Sequence, residues 1–206
     1  MKDLKYEIVK SGSRGNCVII DDMMFDCGIP YRDLEEYLYK IKYLFITHRH
    51  GDHVNPSTIQ RIQRKYPRIT IIGNYDVIHL VKLDYMVGDG TKLSFADRKI
   101  QSFKCVHNVP CSGYVIKKDD ITFIYATDTS TLEHAPKIKY DYFFIESNHD
   151  EKKIEQIMGK QKKYGYDAWK GAMRHLSTQK SETFYYLNRR SKDSKLVELH
   201  KSERFY

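Results

Sequence analysis

The sequence predicts a mixed α/β (α+β) chain in which two β-sheets pack together with helices outside. Short apolar and β-branched runs recur along the chain and alternate with a few segments of helical spacing. Residues able to hold a metal ion stand again and again at the ends of those strand runs, where loops carry function. At 206 residues the chain is long enough for one good core and short for two, so a single domain over 1–206 is expected.

The elements follow in order. Tyr6 to Val9, Cys17 to Ile20 and Met23 to Phe25 read as strands, with Asp21-Asp22 as the turn of a hairpin. Between the first two, Ser11-Gly12-Ser13-Arg14-Gly15-Asn16 is rich in glycine and hydroxyls and able to turn backbone N–H groups toward an anion. Ser13, Arg14 and Asn16 are therefore candidate substrate contacts, although a plain strand-joining turn fits the same letters. Asp26 closes its strand where a carboxylate could support a neighbouring loop.

Leu34, Tyr37, Leu38 and Ile41 have helical spacing, so Pro30 to Lys40 is expected to be a helix. Tyr43 to Thr47 is a buried strand, and Asn55-Pro56 opens a helix that runs to about Tyr66. A strand at Thr70 to Gly73, a short helix at Tyr75 to Leu83, and strands at Thr91 to Leu93 and Ile100 to Val106 come next. His107 stands at the end of the last of these. Cys111 to Lys117 and Ile121 to Thr127 pair around Lys118-Asp119-Asp120, and Asp128 lies just beyond. Asp141 to Ser147 is a strand that finishes in Glu146-Ser147-Asn148-His149-Asp150. Helices are expected over Glu151 to Lys163 and Thr178 to Leu187, the latter capped by Ser177 with His175 just before it, and Leu196 to Leu199 is a last strand.

The stretch around which the chain is organised is Tyr43 to Val54, where a strand turns into His48, His50, Asp52 and His53. Alternate residues share a face, so His48 and His50 can reach one ion, while Asp52 and His53, past a bend at Gly51, can serve a second beside it. Chance produces such a pattern about once in a million windows.

Composition narrows the class of function. Apolar residues at 41% and charged residues at 30% describe a globular protein, without a disordered tract or an apolar run long enough for a membrane span. The amino-terminal residues lack an apolar signal core, so a cytoplasmic location is expected. Cys17, Cys27, Cys105 and Cys111 have no Cys-x-x-Cys spacing and read as small buried thiols; Cys105 and Cys111 bracket His107, so either could lie near a metal. Of the formal charge of +8, +7 falls between Lys160 and Tyr206, a segment that also carries Trp169, Phe184, Tyr185 and Tyr186. Cations for phosphates beside rings for bases suit a nucleic acid or nucleotide partner; solvated helix faces and core aromatics fit the same letters.

The motif at His48 to His53 matches the signature of the metallo-β-lactamase superfamily. That resemblance implies an αββα four-layer sandwich with a dinuclear centre at the edge of the sheets. It also implies seven ligands in chain order: His48, His50 and His107 on one ion, Asp52, His53 and His175 on the other, and Asp128 shared. Such a nitrogen and oxygen set suits two zinc ions and also accepts manganese or iron. Two ions would activate a shared water and draw charge from a phosphoryl or carbonyl oxygen, with Asp52 a candidate catalytic residue as well as a ligand. Glu146 and His149 are then candidates to protonate the leaving group, though each could equally be a structural hydrogen-bonding residue.

Ser-Gly-Ser-Arg-Gly-Asn-Cys, Phe-Asp-Cys-Gly, Glu-Ser-Asn-His-Asp and Arg-His-Leu-Ser together resemble the YycJ-type branch, which implies a 5′ to 3′ DNA exonuclease. A phosphodiesterase for small cyclic nucleotide signals is the alternative, and a non-catalytic nucleic-acid-binding module a third. Ribonuclease Z is a cousin with the same ligand set, but twenty residues between His107 and Asp128 leave no room for its long tRNA-grasping arm. Arg14 stands where the branch commonly has a second serine and could reach a substrate phosphate or face solvent. Whether two chains form a homodimer is left open by the sequence.

Overall fold

The computed structural model describes residues 3–158, 168–203 and 205–206. It divides into two compact units, Met1–Gly88 and Asp89–Tyr206, each built on its own six-stranded sheet.

In the first unit the strands are β1 (Tyr6–Lys10), β2 (Cys17–Ile20), β3 (Met23–Phe25), β4 (Tyr43–Phe45), β5 (Thr70–Asn74) and β6 (Tyr85–Val87), side by side in that order. The expected hairpin joins β2 and β3, with Asp21 taking the left-handed backbone (φ 51°) that such a turn needs. From β3 onward the pairs are parallel, so β3 and β4 finish at the same edge. β2, β3 and β4 are almost wholly buried, which is why they read as continuous apolar runs rather than alternating ones. Helix α1 (Pro56–Lys65) begins as its letters demand. Asn55 accepts the Thr58 N–H at 3.1 Å, Pro56 fills the first turn, and Ile59 and Ile62 point into the core.

Two expected helices are shorter than the sequence implied. Over Pro30 to Lys40 the chain forms separate 3-10 turns at Tyr31–Asp33 and Leu38–Lys40, and over Tyr75 to Leu83 only Val77–His79. Tyr31, Leu34, Leu38 and Ile41 are all buried, but successive bonds such as Leu34 N to Tyr31 O and Tyr37 N to Leu34 O place them there without an α-helical ladder. β6 escaped notice because only its last residue, Val87, is buried.

The second unit carries β7 (Lys92–Ser94), β8 (Arg98–Cys105), β9 (Cys111–Lys118), β10 (Ile121–Ala126), β11 (Tyr142–Glu146) and β12 (Lys195–Leu199), again adjacent in chain order. β7 to β10 are antiparallel neighbours, whereas β10, β11 and β12 run parallel, so three consecutive strands end at one edge. Helices α2 (Glu151–Glu155), α3 (Ala168–Ala172) and α4 (Thr178–Asn188) complete the unit. The helix expected over Glu151 to Lys163 is seen as α2, and its residues 159–163 lie outside the described residues. Ser177 caps α4, its hydroxyl accepting the Lys180 N–H at 3.2 Å.

The aromatic residues near the carboxyl terminus resolve in favour of packing. Phe184 and Tyr185 meet Phe143 edge-on at 6.0 and 5.2 Å, and Trp169 packs against a small cluster with Ile154, Ala172 and Phe205. Tyr186 and Tyr206 are exposed, the former with the Arg189 guanidinium 4.9 Å from its ring centre. Lys160, Lys162, Lys163, Tyr164, Tyr166 and Arg204 lie outside the described residues.

Candidate metal centre

The first unit holds the histidine motif immediately past β4. Asp26, fully buried and left-handed (φ 61°), receives the Thr47 N–H at 2.8 Å and the Thr47 hydroxyl at 2.9 Å, and it lies 2.8 Å from His53 Nδ1. The sequence-level role for Asp26, a carboxylate supporting the histidine loop, is what the geometry displays. A proton on His53 Nδ1 directed at Asp26 leaves Nε2 as the lone-pair nitrogen, the tautomer a metal ligand needs. His48 Nδ1 lies 3.0 Å from the Thr47 hydroxyl, and its Nε2 is 3.0 Å from His50 Nδ1, so the imidazoles gather on one side of the bend.

Asn16 turns inward. Its Nδ2 lies 2.9 Å from His53 Nε2 and 3.3 Å from the Asp52 carboxylate, while its Oδ1 accepts the Gly12 N–H at 2.8 Å. It therefore ties the glycine-rich loop to the motif. Ser13 and Arg14 lie on the exposed part of that loop. Gly51, expected to permit the bend, has no left-handed φ and open space where a Cβ would go; Gly28 is the glycine the loop requires, because a Cβ there would sit 1.7 Å from the Asp52 carbonyl oxygen.

The second unit assembles its own cluster at the shared edge of β10, β11 and β12. Asp128 follows β10 with a left-handed backbone (φ 53°), Glu146 ends β11, and His200 follows β12 directly. The register places Glu146 beside Leu199, which is what brings His200 alongside. Glu146 is fully buried and accepts the Thr129 N–H at 2.9 Å and the Leu176 N–H at 3.1 Å, with His175 Nδ1 at 2.6 Å and His200 Nδ1 at 2.8 Å. Around Asp128 stand His107 Nε2 at 3.9 Å, His175 Nδ1 at 3.7 Å and His200 Nε2 at 3.8 Å. Donor atoms of Asp128, Glu146, His175 and His200 all lie within 4.8 Å of one another.

Burial alone would raise the Glu146 pKa, but the two imidazoles and their hydrogen bonds outweigh it and hold the carboxyl below its usual value. The same contact works in reverse at His175, where burial disfavours the cation and Glu146 overcomes it, raising the imidazole. With these four bonds to accept, the Glu146 carboxylate holds both His175 and His200 in orientation. His149 is buried, which lowers its pKa, and its Nδ1 has no hydrogen-bond partner; its backbone carbonyl accepts the Thr178 N–H. Replacing Glu146 by glutamine is expected to lower metal affinity about 10–100-fold while the fold persists, as measured by titration of the metal-free protein.

The donor chemistry fits a borderline divalent ion. Imidazole nitrogens and carboxylate oxygens crowd both clusters, and thiolates are absent from them among the described residues. Cys17 and Cys27 have pKa values pushed up, first by burial, and Cys105 and Cys111 face each other as register partners on β8 and β9 with buried side chains. Sequence reasoning missed His200. Its signal was a histidine directly after a strand, the placement already noted for His107.

No family model matches the chain. A ribonuclease Z from Thermococcus sibiricus is 35% identical over 103 residues, 39% of this chain and 32% of that protein, so the match spans about a third of the relative's length. Among solved structures, the metallo-β-lactamase fold protein YhfI from Bacillus subtilis superposes with a TM-score of 0.72 at 16% identity, over 98% of this chain and 88% of that one. The short form of human tRNase Z gives 0.68 at 17% identity, over 97% and 93%. A long-form RNase Z from yeast gives 0.58 at 12% identity, over 95% of this chain and 34% of that one. With its two sheets and α/β order, and with these superpositions over nearly its whole length, the chain has the metallo-β-lactamase fold.

Proposed function

We propose that this protein is a metal-dependent phosphodiesterase of nucleic acids. The observation that carries the reading is the edge of β10, β11 and β12, where Asp128, Glu146, His175 and His200 bring donor atoms within 4.8 Å of one another. The His48 to His53 motif and the likeness to ribonuclease Z support it. In this reading His48, His50, Asp52, His53, His107, Asp128 and one further histidine would hold two divalent ions, zinc foremost with manganese as the alternative. Bound there, such ions lower the pKa of water and polarise a phosphoryl oxygen.

For the further histidine the support favours His200 over the expected His175. Glu146 holds His200 Nδ1 and leaves Nε2 facing Asp128, and the His200 side chain is 7% exposed against 21% for His175. His175, the more accessible imidazole, is then the candidate to deliver a proton to the departing oxygen, with Glu146 steadying its Nδ1. Glu146 thereby moves from candidate proton donor to positioning residue, and His149 has a buried, pKa-lowered ring poorly suited to donate.

The YycJ-type resemblance favours DNA trimmed from its 5′ end, and the ribonuclease Z likeness favours RNA as a second reading. One panel decides: linear DNA, RNA and cyclic mononucleotides, with metal content measured on the same sample. Degradation of a polymer that disappears in His50→Ala is the expected result. Turnover of cyclic mononucleotides without polymer cleavage would replace the polymer by a small signal, and a metal-loaded protein that cleaves nothing would refute the proposal.

A further inference from the structure

The second unit has a basic groove of about 610 Å³ at the opposite end of β10 from Asp128. Lys92, Lys99, Lys117, Lys139 and Arg190 line it around Thr122, and no carboxylate does. The antiparallel register explains the row: Lys99 pairs with Lys117, and Lys117 in turn with Thr122. Like charges directly opposite each other weaken a sheet, and these two lysines are exposed with no ion pair to a described carboxylate. Arg190 is fixed to Asp141 at 2.9 Å and to the Thr122 hydroxyl at 3.3 Å, so its charge is held at the groove wall. Arg190 is offset by Asp141, so the repulsion the fold keeps is that of Lys99 against Lys117, which an anionic ligand would relieve.

Strands lie about 4.8 Å apart, so a row crossing from β7 to β10 extends on the order of 14 Å, more than one phosphate can touch. From Thr122 to Asp128 the chain covers roughly 20 Å at about 3.3 Å per residue, equivalent to about six base-pair steps. A mononucleotide at Asp128 does not reach the groove.

We infer that this groove binds the phosphate backbone of a polynucleotide at a site remote from the bond being cut. The identity of the polymer rests on the phosphodiesterase reading; the binding itself is tested separately. Anisotropy of labelled RNA, single-stranded DNA and duplex DNA, each roughly 20 nucleotides long to exceed the 20 Å gap, is measured against the full chain and its Lys99→Gln/Lys117→Gln variant across salt. The variant is expected to bind about tenfold more weakly, with a salt slope shallower by about 1.5, and to hydrolyse bis(p-nitrophenyl) phosphate at the wild-type rate. The Lys99→Arg/Lys117→Arg variant should retain affinity. The probe that loses most identifies the polymer, and equal losses mean readout of backbone alone. Unchanged affinity and slope would overturn the inference, as would an acidic peptide that competes as well as the oligonucleotides. If the wild-type protein hydrolyses no diester while the variant still loses binding, the phosphodiesterase reading fails and the groove stands.

Discussion

Asp128→Asn is expected to reduce phosphodiester hydrolysis by about three orders of magnitude, near 4 kcal/mol of transition-state stabilisation, and to lower the metal content of the purified protein. Asparagine is the informative replacement. It keeps the size of the side chain and tolerates the left-handed backbone at this position (φ 53°), so loss of the carboxylate charge is separated from backbone strain. Asp128 is buried among His107, His175 and His200, and a neutral amide there removes the anion that offsets bound cations. Initial rates and elemental analysis on one sample check the expectation. A variant that keeps its metal and cleaves within about tenfold of wild type would remove Asp128 from the chemistry.

Gly28→Ala is expected to be the most damaging single methyl in the first unit, costing about 3 kcal/mol or more and disordering the motif loop with it. The added carbon would lie 1.7 Å from the Asp52 carbonyl oxygen, 2.1 Å from its carbonyl carbon and 2.7 Å from the His53 nitrogen. All three are backbone atoms, and the backbone is pinned from several sides: Asn16 N to Asp52 O at 2.7 Å, Cys27 N to His53 O at 2.9 Å, Gly28 N to Asn16 O at 3.0 Å and Asn55 N to Cys27 O at 2.8 Å. Relief of the clash must break part of that net, and Asp52 and His53 move with it. Gly51→Ala, with nothing within 4 Å, serves as the control and should stay within about 0.5 kcal/mol of wild type. Thermal melts with and without added zinc distinguish lost stability from lost metal binding; equal melts for the two variants would contradict the close approach.

The sequence disclosed those parts of the site whose chemistry is local. His48 to His53 is legible because ion binding needs particular donors at particular intervals, and Asp26 because a carboxylate at a strand end beside that loop has an evident partner. Buried strands were legible from apolar runs, and the caps at Asn55 and Ser177 from the side chains a first helical turn requires. Convergence between distant segments was not. His200 reaches Glu146 only because β12 joins β11 in parallel with Leu199 opposite Glu146, a register no local pattern encodes. The 3-10 turns were misread because the same apolar spacing suits either ladder of hydrogen bonds. Phe184 and Tyr185 fitted base stacking and core packing alike, since an aromatic letter does not tell which side of a helix the core occupies.

In both sheets the spatial order of strands equals their order of synthesis. From β2 onward in the first sheet and from β8 onward in the second, each strand leaving the ribosome therefore meets an edge whose partner was made immediately before it. Loop-closure costs stay low through β10, and the longest delay falls before β12, which carries His200 into place last. A nascent chain halted before Lys195 would have every other strand paired while still lacking the imidazole that completes the contacts of Glu146.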